Sequence, residues 1–334
     1  MGLTVLNVIV LAIVVFVNGL TDAPNAIATT VTTKSMTLKQ AVVLSSAMNF
    51  LGVSISYVIK PAVVSNILQI FSFNDNERNI QTALCSAMFS VAVWAVTAWI
   101  FGIPTSESHA LLAALAGAEL AISNGRITHF AGIWLIIING IIISSAIGFG
   151  VAAILSNVLN RKSKQINMGN AVLYLQKILS ALLSFLHGAQ DGQKMIGILL
   201  LILQNTSFSL FAEYISVIFC SLVMAFGTAC SGRKIIDTIG RDLFLPNRVQ
   251  ALSTDVASCI GIALSTYAGL PVSTTTTKTM AIIGASMSDR SQCFNTKTAV
   301  NVITAWILTL PVCCFLGFAI TRILLFTASC QASI

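Results

Sequence analysis

Apolar residues run through this chain in long unbroken stretches separated by short polar ones. About 20 consecutive apolar residues are needed to cross roughly 30 Å of hydrocarbon. Stretches of that kind lie near 4–33, 37–59, 80–101, 105–123, 129–156, 173–203, 209–229, 250–268, 270–287 and 298–326. They predict helices throughout, since a chain in lipid must satisfy its backbone internally. The first stretch is long for one span and is interrupted by Gly19, Asp22 and Pro24, which predicts a broken helix. The stretches starting at Pro104 and Pro271 are short, polar at their starts and rich in Ala and Gly. They read as full crossings or as re-entrant hairpins.

Composition sharpens this. Of 334 residues, 56% are hydrophobic and 9% charged, against about 25% charged in a soluble domain. The chain is therefore read as a polytopic membrane protein. The net charge of +7 has no basic stripe or aromatic platform to carry it, so no nucleic-acid partner is expected. It is loop charge that orients the spans. The eight cysteines fall mostly in apolar runs without metal-ligand spacing, and read as packing residues. The start of the chain lacks a basic segment and a cleavage site around its apolar run, which reads as a first span rather than a signal peptide.

The chain also repeats itself. "HGAQDGQKMIG" (187–197) aligns with "NGLTDAPNAIA" (18–28) at a spacing of 169, and "GLPVSTTTTKTMAIIGA" (269–285) with "GIPTSESHALLAALAGA" (102–118) at 167. Two motif pairs in the same order indicate an internal duplication, the construction of many transporters. The division is 1–156 as first transmembrane repeat, 157–177 as cytoplasmic linker and 178–334 as second repeat. If the Pro-led stretches cross fully, each half has five spans and the repeats are inverted; if they are hairpins, four spans and parallel repeats follow. Lys and Arg counts across the two sides give 12 against 4 in the first case and 11 against 5 in the second. Both place 157–177 and 230–250 in the cytoplasm, and the five-span case puts both termini outside.

Asn18, Asp22, Asn25 and Thr29 fall on one helix face, and His187, Asp191 and Lys194 form the matching stripe in the second half. A carboxylate in hydrocarbon costs roughly 3 kcal/mol on the insertion scale, so a recurring one needs a task. Flanked by amide and hydroxyl oxygens, it suits a hard monovalent cation or a proton; the plain alternative is an interhelical polar contact. "PTSESH" (104–109) and "PVSTTTT" (271–277) place hydroxyls at helix starts, where backbone N–H groups lack intrahelical partners. Ser106, Ser108, Ser273, Thr274, Thr275 and Thr276 with those donors make a site for a small oxyanion. Glu107 and His109 fit a proton-relay or gating role, or an interhelical hydrogen bond, better than hydrolytic chemistry, because no nucleophile elbow accompanies them.

These four motifs resemble the duplicated signatures of the inorganic phosphate transporter (PiT) family, from near the start of the chain to about residue 326. The resemblance implies an all-α polytopic membrane protein, an inverted repeat of two five-segment halves with broken helices or helical hairpins at the Pro-Ser motifs. It implies carriage of phosphate with sodium or protons. Asp22 and Asn25 match the family's Asn-Asp-x-x-Asn core, with Thr21 where the first Asn is usual. His187, Gly188, Asp191, Gln193 and Lys194 fit the second copy, where Gln190 replaces an Asn. Thr276 stands where His is frequent, and Glu107 where Thr or Ser is common.

The reading is a cation-coupled symporter of inorganic phosphate in the cell membrane, not an enzyme, with no cofactor. Phosphate is expected between the tips at Ser106–His109 and Ser273–Thr277, with Gln190, Gln193 and Lys194 beside it. The coupling cation, Na+ rather than H+, is expected at Asp22, Asn25 and Asp191 with Thr21 and Asn18. Lys194 is placed to pair with Asp191 or to face the anion. A sulfate permease of the same family, a passive anion channel and a membrane-embedded hydrolase are the rivals; a homo-oligomer is compatible with the reading.

Overall fold

The computed structural model describes residues 2–71, 75–101, 105–123, 127–163, 169–204, 211–231, 236, 246–288 and 295–332. They form helices α1 (Gly2–Thr21), α2 (Ala23–Thr32), α3 (Leu38–Ile59), α4 (Ala62–Ile70), α5 (Glu77–Phe101), α6 (Glu107–Ile122), α7 (Ile127–Ser163), α8 (Gly169–Leu203), α9 (Ala212–Ala229), α10 (Arg248–Tyr267), α11 (Thr274–Ser286) and α12 (Thr296–Ala332). No strand occurs among the described residues. Among the described residues, eight helical segments are long and apolar enough to cross a membrane. The surface is greasy and the interior polar: Val58 is 81% exposed and Phe101 70%, while Asp22, Glu107, Asp191, Lys194, Asp255 and Lys278 are all buried. That distribution suits a lipid exterior around a hydrophilic centre. The protein is thus an all-helical, multi-pass membrane protein.

The first stretch is broken as expected. α1 ends at Thr21 and α2 restarts at Ala23, with Pro24 in its first turn. Proline has no N–H for the carbonyl four residues back, here Leu20. The second copy behaves differently: α8 runs unbroken through Gly188 and Asp191. Gln193 stands there at the position of Pro24, so the helical ladder continues.

The sequence pattern passed over α4. It is nine residues long, too short for a span, and sits beyond the Lys60–Pro61 junction that ends α3. It continues along α8, where a Cβ on Gly197 would stand 3.0 Å from the Ile67 side chain. Of the expected linker 157–177, residues to 163 prolong α7 and those from 169 start α8, while 164–168 lie outside the described residues. Pro104, at the head of the first Pro-Ser motif, also lies outside them.

α1–α2 and α8 run antiparallel. Asn7 donates to Gln81 of α5 (2.6 Å), and Gln81 donates to the carbonyl of Ile202 near the end of α8 (2.9 Å). At the other end Thr33 and Ser35 donate to Gln176 near the start of α8. Contacts between the halves recur with the halves exchanged: α1 packs on α9 as α8 packs on α3, and α6 on α12 as α11 on α7. Close approach demands glycine at these crossings. A Cβ on Gly52 would stand 2.1 Å from the Phe185 carbonyl oxygen, and one on Gly227 2.1 Å from that of Phe16. Phe16 and Phe185 are themselves 169 positions apart, the repeat spacing.

Candidate functional site

The two Pro-Ser motifs are helix starts, and both lie at the centre of the bundle. Ser106 caps α6, accepting from the N–H of His109 (3.2 Å), and Ser273 caps α11, accepting from the N–H of Thr276 (3.1 Å). The N–H groups of Ala110 and Thr277 bond to the Ser106 and Ser273 carbonyls. The N–H groups of residues 107 and 108, and of 274 and 275, precede those bonds and have no carbonyl one turn back within their helices. These starts sit beside the middle of α8, and both helices are shorter than the roughly 20 residues that a crossing needs. At 1.5 Å per residue their 16 and 13 residues span about 24 and 20 Å. Each packs against the helix before it, α6 on α5 and α11 on α10, as hairpins do.

Both starts reach the same carboxylate. Ser108 donates to Asp191 Oδ1 (3.1 Å) and Thr274 to Asp191 Oδ2 (3.3 Å). The Lys194 ammonium lies against the same group. It donates to Asp191 Oδ1, to Ser108 Oγ and to the Val272 carbonyl, each at 2.5 Å. His187 is held through Nδ1 by Asn49 (2.9 Å), and its Nε2 lies 3.3 Å from Asp191 Oδ2. Of the two roles left open for Lys194, pairing with Asp191 is what the geometry gives.

Asp22 sits beside this cluster. Ligand atoms of Asp22, His187 and Asp191 lie within 4.8 Å of one another. Asn18 approaches Asp22 Oδ2 at 3.5 Å, and Asn25 donates to Thr275 Oγ1 of α11 at 2.6 Å. Thr21 donates to the Glu107 carboxylate, which ties the helix break to the α6 start. Asp22, Asn25, His187, Thr274 and Lys278 line one narrow cavity. Among the buried groups here, Asn18 Oδ1, Asn25 Oδ1, Glu107 Oε2 and His109 Nε2 have no hydrogen-bond partner.

The structure therefore brings together Asn18, Thr21, Asp22, Asn25, Glu107, Ser108, Asp191, Lys194, Thr274 and Thr275. The other expected site residues make architectural contacts. The hydroxyls of Ser106 and Ser273 cap, and the Thr276 hydroxyl turns onto Ser273 (3.0 Å). Gln190 braces the approach to α11 through the Leu270 carbonyl (2.7 Å). Gln193 clamps the α3–α4 junction, accepting from the N–H of Val63 (3.0 Å) and donating to the Lys60 carbonyl (3.1 Å).

A second buried ion pair escaped the sequence reading. Lys278 bonds Asp255 and also reaches Thr29 Oγ1 (3.1 Å), which itself donates to Asp255 Oδ1 (2.7 Å). The available signal was Lys278 itself: an ammonium in an otherwise uncharged stretch needs a buried partner.

A multi-pass helical bundle with hydroxyl-bearing helix starts and buried charges at its centre belongs to the class of membrane proteins that handle small ions. The comparisons narrow the class: the chain belongs to the phosphate transporter family, whose pattern it matches over residues 18–317. It is 32% identical over 321 residues to a probable low-affinity inorganic phosphate transporter of Bacillus subtilis (strain 168), covering 94% of this chain and 95% of that one. It is 29% identical over 312 residues to a protein of the same description from Rhizobium meliloti (strain 1021), covering 89% of each. Its fold superposes on a solved structure titled "The sodium-dependent phosphate transporter" with a TM-score of 0.75 at 19% identity, over 98% of this chain and 100% of that one.

Proposed function

We propose that the chain is a cation-coupled phosphate symporter. The observation that carries this reading is the meeting of both Pro-Ser helix starts on Asp191, next to a second carboxylate, Asp22. Two helix starts with free N–H groups and hydroxyls replace the water around an oxyanion. Ser108, Thr274 and Thr275, with the N–H groups behind them, supply those donors, and Glu107 and His109 border them. Asp22 attracts the cation, with amide and hydroxyl oxygens of Asn18, Thr21 and Asn25 around it. That oxygen-rich set favours sodium over a proton. A bound cation offsets the anion's charge, so each raises the other's affinity. The sodium-dependent protein of the same fold is consistent with this choice.

The two halves are proposed to be inverted copies. The antiparallel course of α1–α2 and α8 supports this, and so does the exchange of helix contacts. Parity supports it too: with α5–α6 and α10–α11 each entering and leaving on one side, an odd number of crossings remains per half. Rocking one half against the other would then expose the centre to each side in turn. The basic segments 157–177 and 230–250 belong in the cytoplasm, and both termini outside a cell membrane.

Labelled phosphate uptake into proteoliposomes, with and without an inward sodium gradient and with sulfate as competitor, tests the reading. Accumulation above equilibrium only with the gradient, resistant to excess sulfate, is expected. Equilibration without accumulation would make the protein a passive channel, and full competition by sulfate would make it a sulfate permease.

A further inference from the structure

The duplication permits the two carboxylate sites to be compared atom by atom. At spacings of 169 and 167, Asp191 is the counterpart of Asp22, His187 of Asn18, Lys194 of Asn25 and Ser108 of Thr275. The contacts are counterparts as well. Lys194 Nζ donates to Ser108 Oγ at 2.5 Å where Asn25 Nδ2 donates to Thr275 Oγ1 at 2.6 Å. His187 Nε2 lies 3.3 Å from Asp191 Oδ2 where Asn18 Nδ2 lies 3.5 Å from Asp22 Oδ2. One frame is built twice, with an ammonium in one copy and an amide in the other.

The two copies differ in the oxygens they leave unsatisfied, while in the Asp191 copy the ring nitrogen His187 Nε2 lacks a hydrogen-bond partner. An ammonium has three donors and no acceptor, and Lys194 places all three on oxygens: a hydroxyl, a carboxylate and a backbone carbonyl. Those are the oxygen types that coordinate a sodium ion. Around Asp22 the amide fills one contact only, and Asn18 Oδ1, Asn25 Oδ1 and Glu107 Oε2 stay buried without partners. Buried oxygens without partners are costly, and a cation at Asp22 would satisfy them.

We propose that Lys194 is a tethered cation that permanently fills the Asp191 site, so that one mobile coupling cation is bound per cycle, at Asp22. This rests on the symporter reading above and specifies its stoichiometry. Fewer positive charges then move with each phosphate than in a carrier with mobile cations in both sites, and the fixed ammonium stays beside the anion path between Ser108 and Val272.

The test counts sodium. Labelled sodium bound per chain in the presence of phosphate is measured on purified protein, and sodium and phosphate uptake are measured together in proteoliposomes held at zero potential. One sodium per wild-type chain is expected, none in Asp22→Asn, and two in Lys194→Asn, with the sodium dependence of uptake steepening from first to second order. Two sodium ions per wild-type chain would overturn the proposal, as would a monodisperse Lys194→Asn protein that still binds one. If Lys194→Asn does not fold, the other two counts decide: sodium surviving in Asp22→Asn contradicts the proposal. Concentrative uptake with two sodium ions would defeat this inference alone. Absence of any gradient-driven accumulation would defeat the symporter reading itself.

Discussion

Asp255, Lys278 and Thr29 show how a single residue's surroundings can break the repeat. Their counterparts at the same spacings are Met88, Leu111 and Ile198, all fully buried and apolar. The duplication therefore hid the pair, because nothing in the first half marks those positions. Removing one member of a buried ion pair costs about 3–5 kcal/mol, whereas replacing both with apolar groups is often neutral. Lys278→Met alone is expected to lower the melting temperature of detergent-solubilised protein sharply, and Asp255→Leu with Lys278→Met to recover most of the loss. Equal losses in the two would show that the pair's charges do not matter to stability. Gln193 teaches the opposite lesson. Its place in a shared motif nominated it as an anion donor, but it holds the Val63 N–H and the Lys60 carbonyl. Gln193→Leu is expected to cost about 1–3 kcal/mol of stability by orphaning those groups, read from the same melting curves. The charged and hydroxyl-bearing site residues were legible because polarity inside an apolar run is conspicuous. Those that cap or brace carry the same side chains, and only geometry separates them.

Helices were legible where length and apolar run agree, and less so where the chain bends. Pro24 announced the α1–α2 break, and the unbroken α8 follows from Gln193 at the matching position. α4 was missed because nine residues fall below the length that a membrane criterion seeks. For the Pro-led stretches run length does not separate a crossing from a hairpin, because it is similar for both. The contacts of Ser108 and Thr274 with Asp191 place their helix starts at the centre. Two predictions belong here. Pro24→Ala restores the backbone donor and a continuous helix, and is expected to weaken sodium stimulation of uptake, checked by the sodium concentration giving half-maximal rate. Gly52→Ala and Gly227→Ala each put a methyl against a carbonyl oxygen at 2.1 Å. Both are expected to melt earlier than wild type, and by similar amounts, because they are repeat-equivalent crossings. Wild-type melting in either would mean that the paired helices separate without cost.

At the scale of the whole molecule, the charge count alone gave nearly the same score for inverted and parallel halves. Pairing each Pro-led segment with the preceding helix leaves an odd number of crossings per half, in keeping with the proposed inversion and the antiparallel course of α1–α2 and α8. Tags at the two termini should both react with an impermeant reagent added outside intact cells, and a tag within 157–177 should not. In the proposed symporter, a cation at Asp22 makes the helix starts at Ser108 and Thr274 hold phosphate. Phosphate affinity measured on purified protein, with saturating sodium and with none, tests this most directly when wild type and Asp22→Asn are compared. Coupling of about 1–3 kcal/mol predicts that wild-type affinity falls roughly 5- to 150-fold when sodium is withdrawn, and that Asp22→Asn binds equally weakly in both conditions. Wild-type affinity indifferent to sodium, or an Asp22→Asn protein that keeps the full sodium response, would contradict it.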